Sequence, residues 1–410
     1  MNPSSIGVRT IKRLASSLLE PFVVPYVRQL QEQGYRPETI RDHLCHMVNL
    51  NRWLTRTGRN LSHLTQAVLD RFWRYRSRPR KRVLKTPAGH GLLALLRQAQ
   101  VTPPGEGLPQ TPAQHLVIRY RSYLVEERGL AAWTADAYGR HIERFVTHEF
   151  GRGAACASKI RAREVLDYVQ AYARAHSPQD TGNMVSALRS FLRFLHYQGL
   201  IRTDLASVVP AVARWPMTGL PKHLPAQAVQ RVLDGCDQTT PLGQRDYAIL
   251  LLLARLGLRA GEVVALQLED IDWEQSQLTI RSKKGRGWAR LPLPKDVGKA
   301  LARYLRHGRP SCACRHVFVR SVAPHVGFAP SGHISHLTRD ALEKAGVASE
   351  RTGAHVFRHS LATTMLHQGA SLDEIGQVLR HQTPNSTAIY AKVELDALRR
   401  LAVPWPGGGR

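Results

Sequence analysis

The chain has 410 residues, with 58 lysines and arginines against 31 aspartates and glutamates, a formal charge of +27. Hydrophobic residues make up 43% and charged residues 22%, which excludes wholesale disorder and allows roughly two to four domains. The longest apolar run, Ala248 to Ala254, stops at Arg255, far short of the ~18 residues a membrane span needs. Residues 1–19 lack a continuous apolar segment, so secretion is not expected. The cysteines, Cys45, Cys156, Cys236, Cys312 and Cys314, are few and odd in number, which suits a reducing cytoplasm. Such an excess of cations attracts polyanions, and nucleic acid leads that class because neutralised phosphates release counterions. Charge alone does not separate an enzyme from a passive binder.

In chain order, the first block spans residues 1–105 and reads as a helical extension. Phe22-Val23, Gly34, Thr39 and Leu50 have counterparts 95 residues later in Val117-Ile118, Gly129, Thr134 and Phe145. This weak repeat predicts helix, glycine turn, N-cap threonine and second helix twice over. Residues 51–100 hold twelve lysines and arginines and one acid. They concentrate in Arg71, Arg74, Arg76, Arg78, Arg80, Lys81, Arg82 and Lys85, with Phe72, Trp73 and Tyr75 interleaved. That pattern fits a surface lining a DNA backbone, and also a solvated basic helix end running into a loop at Pro79.

Proline- and glycine-rich breaks at 102–112 and 210–221 bound a middle block, 113–209. His115 to Phe150 and Glu164 to Leu200 have helical periodicity; Val185, Leu188, Phe191, Leu192 and Leu195 form one stripe that Gly199 ends. The third block, 222–403, precedes a tail of residues 404–410 and begins with helices over Asp246 to Gly257 and Ala260 to Leu268. Two short strands, Leu278 to Ser282 and Trp288 to Leu293, flank Lys283-Lys284-Gly285-Arg286-Gly287. Helices are expected again over Ser335 to Ala345, Val356 to Gln368, Ser371 to Leu379 and Asn385 to Leu401. The predicted fold class is mainly α with a small antiparallel sheet.

Several residues of the third block have types that act on phosphate. His355 and Arg358 stand three apart at a helix start, on one face, beside free backbone N–H groups. Arg259 follows the Gly257 break, and His381 precedes Tyr390 by nine residues. Taken singly, each is an ordinary surface or core residue. As an ordered set, Arg259, a hairpin lysine, His355-x-x-Arg358, His381 and Tyr390 resemble the tyrosine recombinase, or phage integrase, family. Gly257-Leu258-Arg259-x-x-Glu262 and Ile389-Tyr390 match as neighbours.

The resemblance covers residues 222–395 and extends more diffusely to the middle block, which is similar to the family's helical, SAM-like core-binding domain. The first block is additional, and its repeat suggests another core-binding-like module, as in recombinases of integrative or transposon-like bacterial elements. Two departures stand out. Leu379-Arg380-His381 occupies a position where the family usually has Leu-Gly-His. The hairpin also has an extra residue: counting from Arg259 selects Lys283 as the acid, counting back from Pro292 selects Lys284, and an insertion belongs in the turn beyond Lys283.

The resemblance implies that Tyr390 attacks a DNA phosphodiester to form a 3′-phosphotyrosyl link, which a 5′-hydroxyl later attacks to rejoin strands. A phenol titrating near ~10 needs a proton acceptor and a cationic pocket to do this at neutral pH. Arg259 and Arg358 would hold the non-bridging oxygens, Lys283 would protonate the leaving 5′-oxygen, His355 would be the acid/base partner of Tyr390, and His381 would bond the phosphate. Glu262 and Asp270 resemble structural positions. No cofactor or metal is implied: there is no GxxxxGK[ST] loop, and Cys312, Cys314 and His316 give only three ligands at unusual spacing.

Implied partners are double-stranded DNA and further copies of the chain, a tetramer in the synaptic complex, or related recombinases, with no membrane. The expected location is cytoplasmic, at the bacterial nucleoid, in mobile-element integration or excision. The stripe Leu395, Leu398, Leu401 and Val403 suits docking on a neighbouring protomer or folding back on its own domain. Two other readings are a non-catalytic regulator using Ser371 to Tyr390 as a helix-turn-helix, with Gln377 and Arg380 on the recognition helix, and a type IB topoisomerase.

Overall fold

Apolar residues every three or four positions write the helices in this chain, and among the described residues proline stands at the first helical position in four of them, at Pro37, Pro112, Pro178 and Pro241. The computed structural model describes residues 12–77, 88–103, 111–151, 157–212, 222–281, 287–328, 332–381 and 383–393. Arg78, Arg80, Lys81, Arg82, Lys85, Lys283, Lys284 and the stripe from Leu395 to Val403 lie outside the described residues. Contacts divide the chain into two compact units, one of residues 1–64, 68–102 and 219–410, the other of residues 65–67 and 103–218. No described helix is long and apolar enough to cross a membrane.

The first block contains α1 (Glu20–Glu32), α2 (Pro37–Arg56), α3 (Gln66–Ser77) and α4 (Ala88–Gln98). Tyr26, Leu30, Leu44, Met47, Phe72 and Leu93 pack between them. On α3 the helical period separates the interleaved residues by role. Phe72 is buried and Trp73 half-buried, while Arg71 and Arg74 are exposed. Two of the three aromatic residues of the basic cluster therefore belong to the core rather than to a surface.

The middle block contains α5 (Pro112–Glu126), α6 (Ala132–Phe150), α7 (Ala162–Ala175) and α8 (Pro178–Tyr197). The stripe from Val185 to Leu195 is buried, and Gly199 follows α8 at φ 67°. Gly34 and Gly129, at φ 80° and 60°, turn the chain between α1 and α2 and between α5 and α6, so the two helix pairs are built alike. The expected threonine caps are not there. Arg36 and Ala131 are the N-cap residues, and Thr39 and Thr134 lie inside the first turns. For α2 the reason is Pro37, whose ring presets the first helical φ and keeps Arg36 extended, at ψ 150°.

The third block is centred on α10 (Pro241–Leu256), preceded by α9 (Ala226–Asp234). Residues 248–253 of α10 are buried all round, as expected of a helix without a polar face. It starts five residues before the predicted Asp246, because Thr240 accepts the Gly243 N–H at 3.1 Å and Pro241 opens the first turn. After α11 (Ala260–Ala265), the strands β1 (Ile271–Asp272), β2 (Gln277–Arg281) and β3 (Trp288–Pro292) form an antiparallel sheet in that order, with Leu278 opposite Leu291 and Arg281 opposite Trp288. β1 is only two residues long, too short to show an alternation in sequence.

Next come α12 (Lys295–Arg303), α13 (Gly332–Lys344), α14 (His355–His367) and α15 (Leu372–Leu379). The architecture is mainly α with one small antiparallel sheet. The predicted Asn385 to Leu401 helix differs: through Val393 the chain forms two 3-10 turns, Pro384–Ser386 and Ala388–Val393. Thr387 explains the break, since its Oγ1 bonds the His381 ring at 2.7 Å and its carbonyl accepts the Tyr390 N–H at 3.0 Å.

Gly257 joins α10 to the rest of the block in the left-handed region, at φ 57° and ψ 32°. A Cβ there would meet Leu379 Cδ2 at 2.7 Å and Leu361 Cδ2 at 3.1 Å. Gly257→Ala should therefore lower the unfolding free energy by at least about 1 kcal/mol, from backbone strain and overpacking. Urea denaturation checks this, and an unchanged midpoint would refute it.

Candidate active site

The turn after Gly257 leaves Arg259 as the extended N-cap residue of α11, with its side chain 40% exposed. Glu262, three residues on, completes a capping box. Its Oε2 accepts the Arg259 N–H at 2.8 Å, and its Oε1 accepts Arg259 Nη1 at 2.8 Å. One carboxylate thus both starts the helix and holds the arginine. Burial alone would raise the Glu262 pKa, but the Arg259 N–H and the cations of Arg380 and Arg259 outweigh it and keep the group ionised.

Arg358, in the first turn of α14, is 4% exposed. Its Nη1 donates to the Gly257 carbonyl at 2.5 Å and its Nη2 donates to the Leu379 carbonyl. Burial, then Arg259 and Arg380, push its pKa down to about 10, so it stays cationic at neutral pH. Two helix ends are tied by this one side chain, α10 through Gly257 and α15 through Leu379.

Tyr390 is 1% exposed, packed with Ala362, Leu366, Ile375 and Leu379. Burial raises its pKa, and Arg358 opposes the rise. Its hydroxyl is hydrogen-bonded to His359 Nδ1 at 2.9 Å. Burial, with His355 and nearby arginines, pushes the His359 imidazole down to about 4, so it is neutral at pH 7 and able to accept a proton. The His381 ring lies parallel to Tyr390 at 6.4 Å, and its Nδ1 is engaged by Thr387 Oγ1, which leaves Nε2 for other partners. Burial and then Arg358 and Arg259 bring His381 to about 4 as well.

The fold therefore gathers Arg259, Arg358, His381 and Tyr390, which are dispersed over 132 positions of sequence, around α14 and the ends of α10 and α15. The ring that meets the Tyr390 hydroxyl differs from the His355 expected as its partner. His355 is an exposed residue at the first position of α14, and the ring bonded to the phenol is that of His359. His359 stands one turn after His355 and next to Arg358, and that spacing alone does not separate the two rings.

Arg380 is the other finding the motif did not foretell. It caps α15 in the left-handed region, at φ 55°, and its Nη2 donates to Glu262 Oε2 at 3.0 Å. Asp270 has a structural setting. It is 3% exposed, its Oδ2 accepts the Gln267 N–H at 2.9 Å, and its Oδ1 accepts Arg281 Nε from β2 at 2.8 Å. In the Cys312, Cys314 and His316 segment, Cys314 Sγ lies 3.4 Å from His316 Nδ1. Among the described residues no group of three His, Cys, Asp or Glu side chains is arranged to hold a metal ion.

Residues 222–396 match the model of the phage integrase family, and residues 117–199 match that of the phage integrase N-terminal SAM-like domain. The Sinorhizobium fredii (strain NBRC 101917 / NGR234) protein y4rA, which carries a provisional integrase/recombinase name, is 39% identical over 394 residues, covering 94% of each chain. Tyrosine recombinase XerD of Mycobacterium tuberculosis (strain ATCC 25618 / H37Rv) is 32% identical over 305 residues, 70% of this chain and 95% of that one. Among solved structures, the XerH site-specific recombinase bound to palindromic difH substrate has a TM-score of 0.57 at 16% identity, covering 73% of this chain and 98% of that one. A lambda integrase dimer bound to a COC′ core site has a TM-score of 0.52 at 17% identity, covering 67% and 94%. At those identities the two structures show the shared fold.

Because His359 and His381 stay neutral in the folded chain, acid should unfold it. An unfolded histidine takes up a proton near pH ~6.5. The folded-state values of both rings are about 4. The unfolded state thus binds more protons in that interval, so stability is complete above the upper value and falls as pH drops toward the lower one. Urea midpoints measured from pH 7.5 to 4.5 should decline, and less steeply in His359→Gln; equal slopes for the two proteins would contradict the assignment.

Proposed function

The chain belongs to the phage integrase family, the tyrosine recombinases, and from that premise we propose that it is a site-specific DNA recombinase using Tyr390 as nucleophile. The observation that carries the reading is the Tyr390 hydroxyl, hydrogen-bonded to a neutral His359 beside the buried guanidinium of Arg358.

The chemistry follows from those groups. The phenol oxygen attacks phosphorus while its proton passes to His359 Nδ1. The bond from phosphorus to the 5′-oxygen breaks, leaving a 3′-phosphotyrosyl link and a 5′-hydroxyl protonated by Lys283, with Lys284 as the alternative. Arg259 and Arg358 face the non-bridging oxygens, whose charge grows in the transition state. His381 bonds the same phosphate through Nε2, and His355, exposed in the first turn of α14, serves as a further phosphate or proton contact. Rejoining is the reverse attack by a 5′-hydroxyl. The covalent link retains the phosphodiester energy, so the scheme routes no step through a nucleotide or metal.

Residues 113–209 act in this reading as a core-binding domain, 222–403 as the catalytic domain, and 1–105 as an additional helical module, with 404–410 a tail. The substrate is double-stranded DNA, the working assembly a tetramer on two sites or a mixture with related recombinases. The setting is the cytoplasm, at the nucleoid, in integration or excision of a mobile element. The regulator alternative is weakened by Arg380, whose guanidinium turns to Glu262 rather than outward from α15.

Nicked suicide DNA carrying the element's end sequence, incubated without metal, tests the scheme. The unsubstituted protein should form a covalent adduct and Tyr390→Phe none; an adduct from the Phe variant would sink the nucleophile assignment. His359→Ala should slow adduct formation by about 10²–10⁴-fold, more than His355→Ala, and the opposite ranking would return the proton to His355. For duplex binding, Arg71→Ala with Arg74→Ala should flatten the salt dependence by about 0.9 in logarithmic slope per lost phosphate contact while adduct chemistry at saturating DNA persists. An unaltered slope would remove α3 from the DNA surface.

A further inference from the structure

Glu262 stands among the guanidiniums of Arg259, Arg358 and Arg380. Its two oxygens are divided. Oε1 takes Arg259 Nη1 at 2.8 Å, while Oε2 takes the Arg259 backbone N–H at 2.8 Å and Arg380 Nη2 at 3.0 Å. Arg380 is held in place by a second donation, Nη1 to the Val378 carbonyl at 3.2 Å, and its Nε is buried without a hydrogen-bond partner. The side chain is only 13% exposed, and its backbone is left-handed at φ 55° and ψ 50°, a conformation that glycine would take without strain. The position therefore carries both a strained backbone and a buried cation where glycine would avoid each.

The charge balance shows what that cation does. With glycine at 380, Glu262 would offset one of the two remaining guanidiniums and leave a single net positive charge. With Arg380 present, three guanidiniums face one carboxylate and two positive charges remain. Arg259 benefits most, because it shares Glu262 rather than neutralising it alone. Its Nη2 has only a long contact, 3.4 Å, to the Arg380 carbonyl, and so stays available to an incoming oxygen anion.

We propose that Arg380 is a positioning residue for phosphoryl transfer: it takes up the charge of Glu262 through Oε2 and so releases the guanidinium of Arg259 to the scissile phosphate. The inference rests on the recombinase reading and adds to it a residue that the family motif fills with glycine. The work is electrostatic and acts through Glu262, so it scales with the charge on the phosphate and depends on the charge of residue 262.

Arg380→Gly and Arg380→Lys, each alone and combined with Glu262→Gln, test this on saturating nicked DNA. Gln is a suitable partner because it preserves the capping box at the third helical position. Arg380→Gly should slow adduct formation about tenfold with less than about a twofold change in half-saturating DNA, and Arg380→Lys should recover most of the rate. The Arg380→Gly loss should shrink to under about twofold in the Glu262→Gln background, and again on DNA whose scissile phosphate is an uncharged methylphosphonate. A wild-type rate for Arg380→Gly, or the same tenfold loss in all three settings, would overturn the proposal, since a residue that only shapes the fold would not distinguish them. Binding of inorganic phosphate to the free protein, followed by its rise in melting temperature, gives an independent reading: the rise should be smaller for Arg380→Gly, and an equal rise overturns the proposal even if no adduct forms. Absence of any adduct from the unsubstituted protein strikes the recombinase reading instead.

Discussion

A guanidinium cannot shed its proton in the way a lysine can, so burying one obliges the fold to surround it with acceptors. Arg358 meets that constraint with the carbonyls of Gly257 and Leu379, each at the last turn of a different helix. Helix ends supply such acceptors because their final carbonyls lack intrahelical donors. The same two bonds bring together the loop that carries Arg259 and the turn that carries Arg380 and His381. Tyr390 packs next to that junction, against Leu379 and Ile375. Nearly every side chain of the candidate site is positioned by elements that end at Arg358.

Electrostatics then sorts the titratable groups. In a pocket already rich in arginine, a second proton on any imidazole is disfavoured, and burial adds to that penalty. His359 and His381 consequently remain neutral, one bonded to the phenol and the other to Thr387. The carboxylate of Glu262 is kept ionised by its cationic neighbours and serves as the counterweight that sets how much of that charge is free. A neutral base next to a buried phenol, with fixed cations beside them, is a preorganised setting for attack on a phosphodiester.

Much of the fold was legible because helical periodicity needs only neighbouring residues. The stripe from Val185 to Leu195 and the apolar run of α10 were read from spacing and are buried as such. The antiparallel hairpin was visible in two short β-rich runs around a lysine- and glycine-rich turn. Element ends were less legible. Thr39 and Thr134 are good capping types, yet the helices start three residues earlier, where Pro37 and the extended Ala131 set the backbone. Beyond Pro384 the apolar spacing suggested one helix, whereas the demand of His381 on Thr387 favoured short 3-10 turns through Val393.

For the candidate site, sequence by itself offered the inventory and its order: Arg259, a hairpin lysine, His355 with Arg358, His381, and Tyr390 nine residues after it. Those residue types are tied to phosphate chemistry by their own pKa values and geometry, so their presence needs no coordinates to be suggestive. Which histidine meets the phenol was a tertiary decision. His355 and His359 are four residues apart on α14, and only the packing of the Tyr390 turn against that helix selects the second. The role of Arg380 was likewise invisible, because its partner Glu262 lies 118 positions away and the pairing depends on how α11 and α15 converge. Long-range convergence of charges is set by packing, and a local pattern in the chain carries no record of it.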